Sequence, residues 1–293
     1  MGLEYTKNEK IFNYFNKAFL TALLFVIAYP LYYILMVSFS EPMRHMAHQG
    51  ILWNPLGFTF DSYKTVLQNS MIGIGYRNTI VIVIVGVALN LTLTSFGAYF
   101  LSRPRAVFQK QVMWIIVFTM FFSGGLIPFY LLVRELGLYD TLWSLILPNA
   151  IGTFNLIIMR TAFMCIPYSL EESAKMDGAG HFTILWRIVM PLSLPTVAVI
   201  ILYYGVHHWN AWFNAIIFIK NRNLYPLQLV LREILIVNDT ASMTSGGNAA
   251  DTQMVSETIK YSTMVIATFP ILCLYPFLQK YFVKGIMIGA VKG

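Results

Sequence analysis

Charge is scarce in this sequence. Only 11% of the 293 residues are charged, against 57% that are hydrophobic. A soluble domain of this length carries about twice that charge on its surface. The shortage excludes an ordinary water-soluble globule and any long solvated acidic or basic tract. Cysteine is nearly absent as well. Cys165 and Cys273 are the only two, they lie on separate apolar segments, and they form neither a disulfide framework nor a metal-binding spacing. They read as packing residues. His45 and His48 give an H-x-x-H pair with no evident third ligand, so no metal site is expected. The glycine pattern G-x-x-x-x-G-K-[ST] is missing, and with it a Walker A phosphate cradle. No nucleophile elbow and no Ser/His/Asp or paired-carboxylate set stands out, so the chain is not read as an enzyme. No internal repeat or low-complexity tract is visible.

Long apolar runs are what the sequence does have. Six are read as membrane spans, near 18–39, 78–101, 112–133, 142–164, 191–219 and 260–283. Each is long enough to cross the ~30 Å hydrocarbon layer. They are apolar all round rather than alternating, which predicts helices and not barrel strands. The expected fold class is therefore an all-α polytopic membrane protein with about six transmembrane helices. Pro30, Pro148 and Gly152 fall inside spans and mark candidate kinks. The start, "MGLEYTKNEKIFNYFNK", is polar and mixed in charge, and no cleavable signal is read there; the first span reads as a retained signal anchor.

Orientation follows from positive charge in short connections. "SRPRAVFQK" carries Arg103, Arg105 and Lys110 without an acid, whereas "RELGLYD" sets Arg134 against Glu135 and Asp140. The first connection is thus expected in the cytoplasm. By alternation both termini are cytoplasmic, as is the segment 169–190. The expected organisation is a cytoplasmic N-terminal segment 1–17, a membrane domain 18–283 and a cytoplasmic tail 284–293, the tail carrying Lys284 and Lys292. Longer connections near 40–77 and 220–259 face outward; the second contains the polar stretch "SMTSGGNAAD". The net charge of +7 fits cytoplasmic loops beside a membrane, and nucleic acid need not be invoked.

Between spans four and five lies a polar insert, "SLEESAKMDGAG". Ser169 and Glu172 match an S-x-x-E capping box. Glu171 and Glu172 lie where a helix dipole favours negative charge, and Gly178 is placed to end the helix in the left-handed conformation. A second segment, "HFTILWRIVM", runs into Pro191. The expected shape is a helix, a bend and a helix, able to brace against a soluble partner or to rest on lipid.

The stretch "ESAKMDGAGHFTILWRIVMP" resembles the EAA loop of permease subunits of binding-protein-dependent ABC importers. Glu172, Ala174, Gly178, Ile188 and Pro191 fall at matching places, with Ser173 for an alanine and Met190 for a leucine. The six-span layout resembles the MalG-type sugar permeases. "FFSGGLIPFYLLVRELGLYD", "NLIIMRTAF", "HHWNAWFNA", "LYPLQLVLREIL" and "QKYFVKGIMIGAVKG" are similar to a branch that imports complex oligosaccharides such as rhamnogalacturonan or alginate fragments. The resemblance implies a type I ABC importer permease fold and an address in the bacterial cytoplasmic membrane. It implies a homologous permease partner, most simply in a heterodimer, and an extracytoplasmic solute-binding protein meeting the 220–259 loop. It also implies an ATPase subunit dimer that binds the ATP and magnesium this chain does not. The ATPase-coupling residues would be Glu171, Glu172, Ser173, Ala174, Asp177, Gly178, Ala179, Ile188 and Pro191, and the basic tail could reach the same ATPases.

A substrate path is sought in polar residues within spans, which face a bundle interior or a wet cavity. In "GVHHWNAWFNAII", His207, Asn210 and Asn214 recur at helical spacing on one face, with Trp209 and Trp212 supplying rings. Asn90 and Thr94 form a weaker stripe in span two, and Asn155 stands in span four. The alternatives weighed are a secondary transporter of a small polar solute, which needs intramembrane ion-coupling charges and inverted repeats, and an intramembrane enzyme, which needs a catalytic set.

Overall fold

A computed structural model describes residues 7–104, 106–236 and 257–273. It divides into two compact units, residues 1–69 with 233–269, and residues 70–232 with 270–293. Among the described residues the regular structure is helical, with one isolated antiparallel bridge between Ser40 and Phe58.

In the first unit, α1 (Lys7–Ser38) runs without interruption through Pro30. It starts well before the predicted edge at 18, because "KNEKIFNYFNK" is itself helix-forming. α2 (Pro42–Ala47) and α3 (Asp61–Gln68) come next, and the residues 257–269 of this unit are helical. An aromatic cluster ties the end of α1 to α3. Phe39 stacks on Phe58 at 5.4 Å and meets Tyr63 at 5.0 Å, and the Tyr63 hydroxyl is 2.7 Å from Ser38 Oγ. Burial raises the Tyr63 phenol above its ordinary pKa, and the Ser38 hydrogen bond works against that shift. His45 lies edge-on to Tyr33 and Tyr261.

The second unit is built on α4 (Ser70–Ser102), a helix of 33 residues. α8 (Thr153–Met164) and α12 (Leu194–Trp209) pack along it. A core cluster joins the three helices through Ala98, Leu156, Met159, Phe163, Val197 and Ile200. Lipid is as apolar as these side chains, so such helices associate through close packing and internal hydrogen bonds. Gly86 supplies one close approach: a Cβ there would lie 2.5 Å from His208 Nε2. The missing side chain lets an imidazole from α12 sit against the α4 backbone.

Three of the predicted spans are not straight. α5 (Gln109–Phe121) and α6 (Leu126–Glu135) meet at 115°. The break falls on "FSGG", where Phe122 is extended and two glycines are poor helix formers. α7 (Trp143–Ile146), extended by a 3₁₀ turn over Leu147–Asn149, meets α8 at 51°, at the Pro148 and Gly152 sites named from sequence. The run 191–219 does not form one span. α10 (His181–Ile184), a π turn over Leu185–Val189 and α11 (Met190–Leu192) form an elbow at 89° to α12. Pro191 has no N–H to continue the α ladder, and Met190 N–H bonds back five residues to Leu185 O instead. Two uninterrupted helices and three bent pairs thus have the length and composition to cross a membrane. The sixth expected span is helical over 257–273, and its remainder lies outside the described residues.

At the end of this unit that contains Asp140, a turn is pinned by backbone bonds. Asp140 takes a positive φ of 58°, and its Oδ1 accepts from Lys220 N at 2.9 Å and Asn221 N at 2.8 Å. Asn78 donates to the carbonyls of Asn223 and Tyr225, and Thr79 Oγ1 accepts from Leu227 N. These contacts order α13 (Phe213–Phe218) and the start of α14 (Leu227–Ile236) against α4. The "SMTSGGNAAD" stretch and the tail 284–293 lie outside the described residues.

The Gly86 contact yields a prediction. Gly86→Ala should destabilise the purified protein by about 1–3 kcal/mol through overpacking, although alanine is the better helix former. The double variant Gly86→Ala/His208→Ala should recover most of the loss. Thermal unfolding in detergent measures both.

Candidate substrate path and coupling loop

Two sites emerge within the second unit. The first lies at the α7–α8 break. A helix break inside hydrocarbon frees backbone groups that only protein or cavity water can satisfy. Here Gly152 N–H donates to Tyr204 Oη at 2.9 Å, and the same hydroxyl is 2.7 Å from Thr94 Oγ1. One tyrosine of α12 therefore closes the break in one helix and ties it to α4. One turn away, Asn90 Nδ2 and His208 Nε2 are 3.0 Å apart, both side chains fully enclosed.

Beside this network is a cavity of about 350 Å³. Asn149, Gly152, Asn155, Tyr203, Tyr204 and His207 line it, with Phe154 and Ile151. Phe154 and Tyr203 lie 6.2 Å apart, centroid to centroid. Amide and imidazole groups offer donors and acceptors, and phenol and phenyl rings offer flat apolar faces. A small set of placed polar groups on aromatic walls is the usual composition of a small-ligand site.

The structure brings only part of the sequence-derived path together. Asn155 and His207 line the cavity. Asn90 does not; it is engaged with His208. The expected shared face of His207, Asn210 and Asn214 is broken, because α12 ends at Trp209 and Asn210 occupies its C-cap. The Asn210 amide folds back to donate to Val206 O, and Asn214 belongs to α13. Trp209 is buried edge-on to Tyr76, and Trp212 lies under the Arg232 guanidinium at 5.0 Å. Neither ring lines the cavity. Tyr203 and Tyr204 were missed, although they stand four and three residues before His207 and so share its face.

The second site is the polar insert. α9 (Tyr168–Met176) begins after Pro167, which occupies the N-cap with φ −57° and ψ 128°. The capping box is not formed: Ser169 lies inside the first turn, and no side chain caps the N-terminus. The other end is as expected. Gly178 has φ +82°, Gly178 N bonds Lys175 O at 3.0 Å, and Ala179 N bonds Ala174 O at 2.9 Å. That pair of bonds is a Schellman motif. A Cβ at position 178 would meet no atom within 4 Å, so the glycine is needed for its backbone angle and not for space.

α9 has two faces. Glu171 is fully buried and forms an ion pair with Arg103, the residue after α4. The Arg103 guanidinium also lies 4.6 Å over the Tyr99 ring, and Tyr99 Oη is 3.2 Å from His181 Nδ1. Burial lowers the Arg103 pKa from its ordinary value; the nearby Tyr99 and Tyr168 pull it back up. Ala174 and Ala179 pack on the core cluster. Glu172, Ser173, Lys175, Asp177 and Gly178 face outward, and Met176 is 88% exposed. Ile188 packs partly on the core and Pro191 sits exposed in the elbow, so both serve the bend rather than the outer face of α9. Cys165, just before α9, and Cys273 are exposed on the chain and not disulfide-bonded, which corrects their reading as packing residues.

Breaking a buried pair by removing one partner costs about 3–5 kcal/mol, because the other charge stays buried. Arg103→Ala should therefore lower stability by roughly that amount, discounted for the slight exposure of the arginine. The double variant Arg103→Leu/Glu171→Leu should restore most of it. Denaturation of the detergent-solubilised protein, with limited proteolysis at the α8–α9 junction, reads both.

A family model described as "Binding-protein-dependent transport system inner membrane component" matches residues 9–288. The chain is 38% identical over 290 residues to the polygalacturonan/rhamnogalacturonan transport system permease protein YtcP of Bacillus subtilis (strain 168), covering 97% of this chain and 99% of that one. It is 40% identical over 288 residues to Protein LplC of the same organism, covering 98% and 97%. Among solved structures, a bacterial ABC transporter involved in the import of the acidic polysaccharide alginate has a chain that matches with a TM-score of 0.88 at 32% identity. The match covers 96% of this chain and 100% of that chain.

Proposed function

Starting from the fact that this chain belongs to the family of binding-protein-dependent transport system inner membrane components, we propose that it is the permease half of an importer for acidic plant- or algal-type oligosaccharides. The family places it in the inner membrane as a transport permease. The observation that carries the substrate class is the cavity at the α7–α8 break, with Tyr203, Phe154, Asn149, Asn155 and His207 on its walls. Rings stack on sugar faces, and amides and imidazole pair with hydroxyl or carboxyl oxygens. Relatives named for rhamnogalacturonan and alginate import agree with it.

Energy comes from outside the chain. ATP and magnesium sit on a separate ATPase dimer, and α9 is the surface that meets it, with Glu172, Ser173, Met176 and Asp177 at the contact. α9 does not hang from a loose loop. Arg103 holds it to the end of α4, and the buried residues Ile184, Leu185 and Val189 hold the elbow under α4 and α8. The elbow leads into α12. A push on α9 thus moves α4 and α12, the two helices whose side chains close the cavity network. A homologous permease completes the translocation path, an extracytoplasmic binding protein delivers the sugar, and the side bearing α9 faces the cytoplasm.

Reconstitution with the ATPase and binding protein tests this reading. Rhamnogalacturonan or alginate oligomers should stimulate ATP hydrolysis several-fold, and Asn155→Ala or Tyr203→Ala should cut uptake about tenfold or more, the loss of one or two sugar contacts. Gly178→Val forces a β-branched residue to φ +82°, distorts the exit of α9, and should leave hydrolysis running without uptake. Wild-type uptake by Gly178→Val would remove α9 from the coupling route.

A further inference from the structure

A groove on the α5 side of the second unit has a composition that sugar transport does not use. Gln109, Lys110, Met113, Trp114, Val117 and Arg160 line a space of about 370 Å³. Lys110, Met113, Trp114 and Val117 stand at i, i+3, i+4 and i+7 of α5, so they form one stripe running from the helix start into the span. Lys110, in the first turn of α5, and Arg160, near the end of α8 and bonded to the end of α4, stand at one end of this stripe. Below them the walls are apolar, and Trp114 is 76% exposed. Arg160 is held in place: its Nε donates to Leu101 O at 2.8 Å, and Gln109 Nε2 donates to the same carbonyl. Among the described residues neither Lys110 nor Arg160 pairs with a carboxylate, and the first turn of α5 carries no acid. The positive end of the α5 dipole adds charge of the same sign.

We propose that this groove is a binding site for an anionic phospholipid. The headgroup phosphate lies between Lys110 and Arg160, and an acyl chain runs along Met113, Trp114 and Val117. Charge complementarity selects the headgroup: two cations at a membrane interface attract anionic lipid. The apolar stripe selects lipid over a free phosphate, which would leave those side chains unused. The indole of Trp114 has the mixed character that collects at the headgroup level. The inference needs the chain to be membrane-embedded and does not depend on which sugar it carries.

Native mass spectrometry of the full chain in its detergent-solubilised transporter tests the proposal, with equal amounts of dioleoyl phosphatidylglycerol and dioleoyl phosphatidylcholine added. The wild type should retain phosphatidylglycerol at least tenfold better, each cation contributing roughly fivefold. Lys110→Gln, which disturbs no contact of Leu101, should lower the preference about fivefold, and Trp114→Ala should weaken both lipids alike. Equal retention by the wild type would overturn the proposal, as would an unchanged preference in Lys110→Gln. Displacement of the lipid by millimolar inorganic phosphate would make this an anion site and not a lipid site. A photo-crosslinker at Val117 in native membranes should capture lipid; capture of a second protein chain would make the groove a subunit interface and contradict the assignment.

Discussion

Hydrocarbon offers no hydrogen bonds, so every polar group this chain carries into its spans must find a partner within the protein or in enclosed water. That constraint explains the arrangement of α4, α8 and α12. α4 brings Asn90 and Thr94; α12 brings Tyr204 and His208; the break before α8 brings a Gly152 N–H that its own helix cannot satisfy. They pair with one another at 2.7–3.0 Å, while the buried Asn90 Oδ1 and His208 Nδ1 have no protein partner among the described residues. A phenol that caps a broken helix while bonding to a second helix holds the break open at a fixed place. The cavity stands beside it because the chain changes direction there. Polar residues cost most in lipid, and here they tie the three helices together beside the cavity.

The same constraint governs the other end of the helices. Glu171 is fully buried, which is unfavourable unless its charge is matched. Arg103 matches it, and Tyr99 spreads part of that positive charge over its ring face. A buried pair of this kind adds little net stability over an apolar contact of the same size. Its value lies in direction: α9 has one acceptable seat on α4, with Glu172 and Met176 outward. The Schellman turn at Gly178 then sets the angle at which the chain leaves α9, and the π turn before Pro191 sets the angle at which it enters α12. Two backbone devices and one ion pair together fix the course of the chain from α9 into α12.

Much of this was legible in the sequence. Hydropathy marked where apolar helices lie, since composition decides whether a segment is at home in lipid, but it missed the start of α1 and the true course of the run 191–219. The left-handed glycine at 178 was legible because few residues other than glycine end a helix that way. The bends were not, because hydropathy reports composition and says nothing about direction. "FSGG" gave no sign of a 115° turn, and the run 191–219 concealed both an 89° elbow and a stop after Trp209. That stop is why Asn210 and Asn214 did not fall on the face their spacing suggested. Tyr203 and Tyr204 were readable from their spacing to His207 but were overshadowed by the tryptophans, whose rings pack against Tyr76 and Arg232 instead. Glu171 looked like a surface acid beside Glu172. Only the third dimension, in which Arg103 returns from the end of α4, separates the buried glutamate from the exposed one.

At the centre of the proposed mechanism stands the helix break at Gly152, beside the cavity assigned to the sugar. The most direct test is thiol labelling of Asn155→Cys, made in a chain whose Cys165 and Cys273 are replaced by serine. With a small charged, membrane-impermeant reagent, the thiol introduced at position 155 should react in the assembled transporter. Transported oligosaccharide should slow that reaction, while a cysteine at Ile115, exposed on the apolar helix α5 and expected to face lipid, should stay unreactive throughout. A thiol at position 155 that resists the reagent in every nucleotide state, or that reacts at the same rate with and without sugar, would contradict the account.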